Sequence, residues 1–411
     1  MKFKTILFLV LALNWGCAAI KGRPPVLSIR TAEMGTLILE VHMFDVKNGW
    51  ALAQSGQGVN FHHLLLHTAN GGESWMDGTP RSASNDMDMD AYFFDSRHGW
   101  LWVRDRKKEI DYLLLTVNGA KSWTHVDLPF HFEEGSACHF SNLDHGIASE
   151  SDGGLGSFAI RFFETFDGGR NWKLVPIVPP APEMNLPACT IHLSSMSPDT
   201  ASYLPPATLI ITHGDMLDEQ PKDAVRLSIS TNLGKTWRDL NLPLPSERYR
   251  DGLVDFMAPL FLDATHGWLA ARVSRRNTND TLAWNAMVFY TTADGGQTWA
   301  PRPGIIDGGT NSFGAERQLN FVSARNAFVC AGACLFVTHD GAKSWQRIKP
   351  NIDFDRTVSN GGVAQIDFVD KKHGWAVVYD TYKYPPWDKC YLYKTSDGGA
   401  TWTELPLKIV P

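Results

Sequence analysis

Short runs of alternating apolar and polar residues recur along the whole chain, each ending in a cluster of Asn, Asp, Gly or Ser. That pattern predicts strands joined by tight turns, and no segment shows an apolar stripe long enough for a useful helix. Two segments repeat within it. One has a strand ending in Phe or an aliphatic residue, a polar turn, and a strand that most often opens on Trp. It is seen in FDVKNGWAL at 44–52, FDSRHGWLW at 94–102, SNLDHGIAS at 141–149, LDATHGWLA at 262–270, VSARNAFVC at 322–330 and VDKKHGWAV at 369–377. MSPDTASYL at 196–204 keeps the pattern in outline, and each copy reads as an inner hairpin.

The second repeat is an octapeptide found seven times: TANGGESW (68–75), TVNGAKSW (116–123), TFDGGRNW (165–172), STNLGKTW (230–237), TADGGQTW (292–299), THDGAKSW (338–345) and TSDGGATW (395–402). Its Asn or Asp is suited to accept N–H groups of its own turn. A glycine one or two positions later supplies a left-handed backbone. Octapeptide four has only Gly234, while Ala120 and Ala342 replace the second glycine in two and six, so either position is expected to close the turn. The final Trp opens the next strand and packs under the turn, a burial worth roughly 3–5 kcal/mol against alanine. The octapeptide tryptophans are 48, 49, 65, 62, 46 and 57 residues apart, the length of a four-stranded blade with variable loops. The predicted fold is all-β, a seven-bladed β-propeller of four-stranded antiparallel blades over 36–411. Both end blades look complete, so the ring is expected to close by packing of whole blades.

The octapeptide resembles the Asp box, S/T-x-D-x-G-x-S/T-W, and its alternation with F-x-D-x-x-H-G-W resembles the photosystem II assembly and stability factor-like propellers of the sialidase-like group. The resemblance spans about residues 36 to 405. It implies an exported, non-enzymatic scaffold that binds a protein or glycan partner through loops on the face opposite the boxes. An exo-glycosidase of the sialidase kind is the alternative the same resemblance leaves open. The F/Y-R-I-P signature of such enzymes is missing, since Arg23 in GRPP and Arg30 in SIRT lack its flanking residues.

Composition and ends narrow the setting. At 44% hydrophobic and 20% charged residues the chain is globular, and a net charge of −6 gives no electrostatic case for nucleic acid or an anionic membrane. Lys2 and Lys4 precede an apolar run from Ile6 to Leu13 and then small residues, a secretory signal over 1–19, with 20–35 as an extension. Two outcomes stand: lipidation at Cys17, as a lipoprotein of the cell envelope, or cleavage after Ala19 and release. A membrane contact would come only through that lipid, and a monomer is expected. Cys138, Cys189, Cys330, Cys334 and Cys390 leave one thiol over in an oxidising compartment, and Cys330 and Cys334 bracket a short turn suited to a disulfide.

Residues that recur in every blade serve the blade, so function is sought where the blades differ. Arg248, Tyr249 and Arg250 before blade five, Arg317 before blade six and Arg356 before blade seven form the predicted ligand-binding set. A bland alternative pairs these arginines with the adjacent Glu247, Asp251, Glu316 and Asp355. Asp86, Asp88 and Asp90 alternate as in a calcium loop, but Ala91 stands where such a loop needs glycine, so they read as a solvated acidic loop. No catalytic set, metal or cofactor is predicted. Longer insertions at Lys173 to Thr190, Tyr203 to Arg226 and Ser274 to Trp284 mark blades four and five as a sector for a partner.

Overall fold

The alternating runs form strands because each blade buries both faces against its neighbours, and each hairpin closes at a repeated turn. The computed structural model describes residues 36–57, 60–81, 87–105, 108–131, 137–154, 157–178, 191–194, 200–213, 224–250, 252–276, 282–307, 318–331, 333–352, 354, 362–380, 389–406 and 408–410. Blade 1 holds β1 (Thr36–Met43), β2 (Gly49–Gln57), β3 (Asn60–Thr68) and β4 (Trp75–Asp77). Blade 2 holds β5 (Met87–Phe93), β6 (Gly99–Asp105), β7 (Ile110–Thr116) and β8 (Thr124–Asp127). In blade 3, β9 (Ala137–Phe140), β10 (Gly146–Gly154) and β11 (Ser157–Thr165) are followed by β12 (Lys173–Leu174) and β13 (Ile191–Ser194), which both pair with β11. The insertion at Lys173 to Thr190, expected in blades 4 and 5, is therefore corrected to one within the outer strand of blade 3.

Blade 4 holds β14 (Thr200–Leu204), β15 (Thr208–His213), β16 (Ala224–Ser230) and β17 (Arg238–Pro243). In blade 5, β18 (Leu253–Phe256) and β19 (Leu260–Phe261) share the inner position on β20 (Gly267–Arg276), followed by β21 (Leu282–Thr292) and β22 (Ala300–Asp307). Blade 6 comprises β23 (Leu319–Phe321), β24 (Ala327–Ala331), β25 (Cys334–Thr338) and β26 (Gln346–Ile348). Blade 7 comprises β27 (Gly362–Phe368), β28 (Gly374–Asp380), β29 (Lys389–Thr395) and β30 (Thr403–Leu405), and β31 (Ile409–Val410) follows. The protein is a seven-bladed β-propeller, with one helical turn, Glu247–Tyr249, among the described residues.

Each octapeptide is one hydrogen-bonded unit. Its Asn or Asp Oδ1 accepts the N–H four residues on at 2.8–3.0 Å in all seven copies. Its leading Thr or Ser hydroxyl accepts the N–H of the second glycine position, also in all seven. The residue before that one donates to the inner turn of the same blade, as Gly71 does to the Lys47 carbonyl at 2.7 Å, so both turns lie on one face of the ring. One expectation changes here. Both positions are left-handed in every copy, so Ala120, Leu233 and Ala342 hold φ of 61°, 59° and 58° that glycine would hold without strain.

The inner-hairpin tryptophans join one blade to the next. Trp50 stacks on Phe93 of blade 2 at 4.0 Å and Trp100 on Phe140 of blade 3 at 3.6 Å. Their indole N–H groups donate to Asp95 and Gly168 of those blades, Trp268 donates to Ser323, and Trp375 crosses the closure to Gly71. The repeated Phe and Trp are therefore the contact between blades, which spacing alone did not reveal.

Three further expectations are corrected. The inner turn of blade 4 is 205–207, between β14 and β15, and not within 196–200, because Leu233 donates to the Ala207 carbonyl as its counterparts do. Closure is more than packing: β31 adds in parallel to the outer strand of blade 1, with Ile409 opposite Trp75, and Trp75 N–H donates to Lys408. At the centre, Gln365 exchanges two hydrogen bonds of 2.7 Å with the Val41 backbone and Asp367 accepts Met43 N–H, joining β27 to β1. Asp88 and Asp90 belong to the inner strand β5 and not to a loop.

Candidate functional site

In a four-stranded blade the turn between the second and third strands and the link to the next blade lie opposite the octapeptides. On that open face, alternation along β6, β7, β10 and β11 makes the interface of blades 2 and 3. Trp102, Leu113, Ala148 and Phe163 pack there in one buried cluster. Two residues further toward the open face, on the same sides of their strands, the pairing is Arg104 opposite Asp111 and Glu150 opposite Arg161. The apolar interface thus ends in charge.

These groups form a lattice with His131 of the link between the blades. Arg161 Nη2 lies 2.7 Å from Glu150 Oε2, and Arg104 Nε lies 4.0 Å from Asp111 Oδ1. His131 donates its backbone N–H to Glu150 Oε1 at 3.0 Å, and its Nδ1 is 3.0 Å from Asp111 Oδ2. The carboxylates are buried, their side chains 5% and 4% exposed, whereas Arg161 is 31%, Arg104 38% and His131 71% exposed. Cations and imidazole face solvent over a floor of carboxylates.

Register shows how unusual this is. Counting back from the octapeptide Thr, the position of Glu150 and Arg161 holds Ala53 and Leu64 in blade 1, Val103 and Tyr112 in blade 2, and Ala271 and Val288 in blade 5. It holds Ala331 and Cys334 in blade 6, Val378 and Tyr391 in blade 7, and His213 and Arg226 in blade 4. At this position polar pairs stand only in blades 3 and 4, whereas the position of Arg104 and Asp111 is also polar in blade 1, with Gln54 and His63, and in blade 5, with Arg272. Laying the seven blades in register, not scanning for motifs, is the signal that finds it.

The predicted residues that the structure describes lie elsewhere. Arg248 and Arg250 are exposed on the link between blades 4 and 5, and Arg250 pairs with Glu247 at 2.7 Å, as the bland reading has it. Tyr249 is 3% exposed and packs in the core of blades 4 and 5, so it is corrected from a surface contact to a core residue. Arg317 and Arg356 lie outside the described residues, as do Cys17 and Cys189. The disulfide is also corrected. Cys330 stands opposite Leu335 and Cys334 opposite Ala331, which puts the two cysteines on opposite faces of their hairpin, and both are thiols. Among the described residues no group of three or more His, Cys, Asp or Glu is placed to hold a metal ion.

The histidines of the inner turns have a local role. His98, His266 and His373 each bring Nδ1 within 2.9 Å of Asp95, Asp263 and Asp370, carboxylates that also accept two backbone N–H groups of the turn. A groove of about 470 Å³ between Asp77–Arg81 and Ala120–Trp123 lies by the second octapeptide, apart from the lattice and without a buried charge.

No family model and no curated protein matches the chain. Among solved structures, a polysaccharide lyase, the PL25 ulvan lyase, is 8% identical with TM-score 0.50, covering 94% of this chain and 96% of that one. The β-propeller domain of the Trilobed protease from Pyrococcus furiosus, described as having an open velcro topology, is 7% identical with TM-score 0.50, covering 91% and 97%. At these identities the likeness is one of fold.

Proposed function

We propose that this protein is an exported propeller that binds an acidic glycan where blades 2 and 3 meet, on the face opposite the octapeptides. One observation carries the reading: the Glu150–Arg161 pair occupies an interface position that most blades fill with apolar side chains. Buried ion pairs add little to stability compared with apolar packing, so the scaffold has no need of them there. Partly exposed guanidinium groups over a fixed carboxylate floor suit a planar anion flanked by hydroxyls, because arginine pairs with a carboxylate through two N–H groups while carboxylates accept sugar O–H.

The resemblance to photosystem II assembly factor-like propellers supports a binding role on the same face, and a fold neighbour that is a polysaccharide lyase is compatible with a sugar there. Hydrolysis by the two-carboxylate route is the weaker reading, because both carboxylates are already engaged, Glu150 by Arg161 and Asp111 by His131 and Arg104. Titration of the full chain with uronic-acid oligosaccharides and neutral counterparts tests the proposal. Binding of the acidic series, weakened at least tenfold by Arg104→Ala, is expected. Equal binding of neutral sugars, or binding indifferent to Arg104 and Arg161, would overturn it.

A further inference from the structure

His131 differs from every other member of the lattice. Its ring is 71% exposed, yet its Nδ1 is tied to Asp111, whose side chain is 4% exposed, and its backbone N–H is tied to Glu150. An imidazole held by a carboxylate at Nδ1 keeps its proton there and presents the Nε2 lone pair outward. Such a ring is an oriented proton acceptor, and Arg104 and Arg161 belong to the same lattice. A base beside cations suits one reaction on an acidic sugar above others. A proton next to a carboxylate becomes removable when that carboxylate is neutralised, because the charge developing on it in the transition state is then stabilised.

We propose that this site cleaves uronic-acid polysaccharides by β-elimination, with His131 as proton acceptor and Arg104 and Arg161 holding the uronate carboxylate; this rests on the acidic-glycan reading above. His131 Nε2 takes the C5 proton, the C5–H electron pair forms the C4–C5 double bond, and the C4–O4 bond breaks with its pair remaining on O4. The proton then passes from the imidazolium to O4 of the departing chain, which returns His131 to its starting state. The balance needs no water, oxidant or cofactor. Asp111 acts through His131 and is a positioning residue.

The test uses the full chain with oligosaccharides of glucuronic, galacturonic and mannuronic acids, following the ultraviolet absorbance of the 4,5-unsaturated uronate alongside calorimetric binding. Wild type is expected to generate the absorbance. His131→Ala and His131→Asn should each lower kcat at least a hundredfold while changing Kd by less than about threefold, in line with the usual worth of a general base. Each variant removes one partner of buried Asp111, so rates are compared well below the melting temperature of both, with folding checked by circular dichroism. Asp111→Asn should reduce kcat and displace the alkaline-rising limb of the pH–rate profile, which loss of packing alone would not move. Binding without unsaturated product, or new reducing ends without unsaturation, overturns the elimination while leaving the binding site standing. Absence of binding to all three series overturns the binding reading itself.

Discussion

Replacing Glu150 and Arg161 by Ala and Leu, the residues blade 1 carries as Ala53 and Leu64, should separate stability from function. Arg161→Leu alone leaves Glu150, 5% exposed, in the interface without its cation. Breaking a fully buried pair costs about 3–5 kcal/mol, and with Arg161 31% exposed the expected loss is nearer 2–3 kcal/mol. The double variant removes both charges and puts apolar atoms against Ala148 and Phe163. It loses the hydrogen bond from His131 N–H, about 1 kcal/mol, and gains apolar burial of similar size. Its stability should fall within about 1 kcal/mol of wild type, so the double-mutant cycle should show a coupling of about 2 kcal/mol. Urea unfolding of the four proteins supplies the cycle, and calorimetry with a uronic-acid oligosaccharide supplies the function. A double variant as unstable as Arg161→Leu would mean that the pair stabilises the fold as apolar packing cannot, and the argument from its cost would fail.

Acid should loosen the octapeptides. The hydroxyl of Ser344, then its backbone N–H, hold Asp340 down at about 2, and Asp397 is also lowered, partial burial being outweighed by hydrogen bonds from Thr401. With folded values below unfolded ones, their stabilisation is complete above about pH 4 and is lost as pH falls toward 2, so melting temperature should drop in that window. Asp340→Asn with Asp397→Asn, the residue type of Asn70 and Asn118, should make the drop shallower; an unchanged profile would refute this. Ala120→Gly, relieving φ of 61°, should stabilise by about 0.5–1 kcal/mol after the entropy of the unfolded chain is counted, and a loss in urea unfolding would count against the strain. Trp375→Phe removes the indole N–H bond to Gly71 across the closure and should cost about 1–3 kcal/mol; an unchanged urea midpoint would count against this bond as a closing contact.

Much of the fold was legible because each turn carries its own chemistry. The Asn or Asp, the glycine pair and the Trp of each octapeptide announce a hairpin locally, so blade number and strand order follow from the chain. What escaped depends on neighbours distant in sequence. The added strand at 409–410 is too short to show a period, and its partner Trp75 lies at the other end of the chain. The inner turn of blade 4 is hidden in the sequence because Pro205 and Pro206 stand where most other inner turns carry Asp and Gly. Tyr249 was read as a surface residue because its flanking arginines are exposed, although its ring turns inward. Asp111, His131, Glu150 and Arg161 form no motif, and only cross-strand register brings them together.

The central claim is that the charged site where blades 2 and 3 meet receives a sugar carboxylate. Calorimetric titration with a uronic-acid oligosaccharide and with its methyl ester, against wild type and Arg104→Ala, tests it most directly. Saturable binding of the free acid, at least tenfold weaker for the ester and for the variant, is the predicted result. Equal affinity for acid and ester, or an affinity that Arg104→Ala leaves untouched, would contradict it.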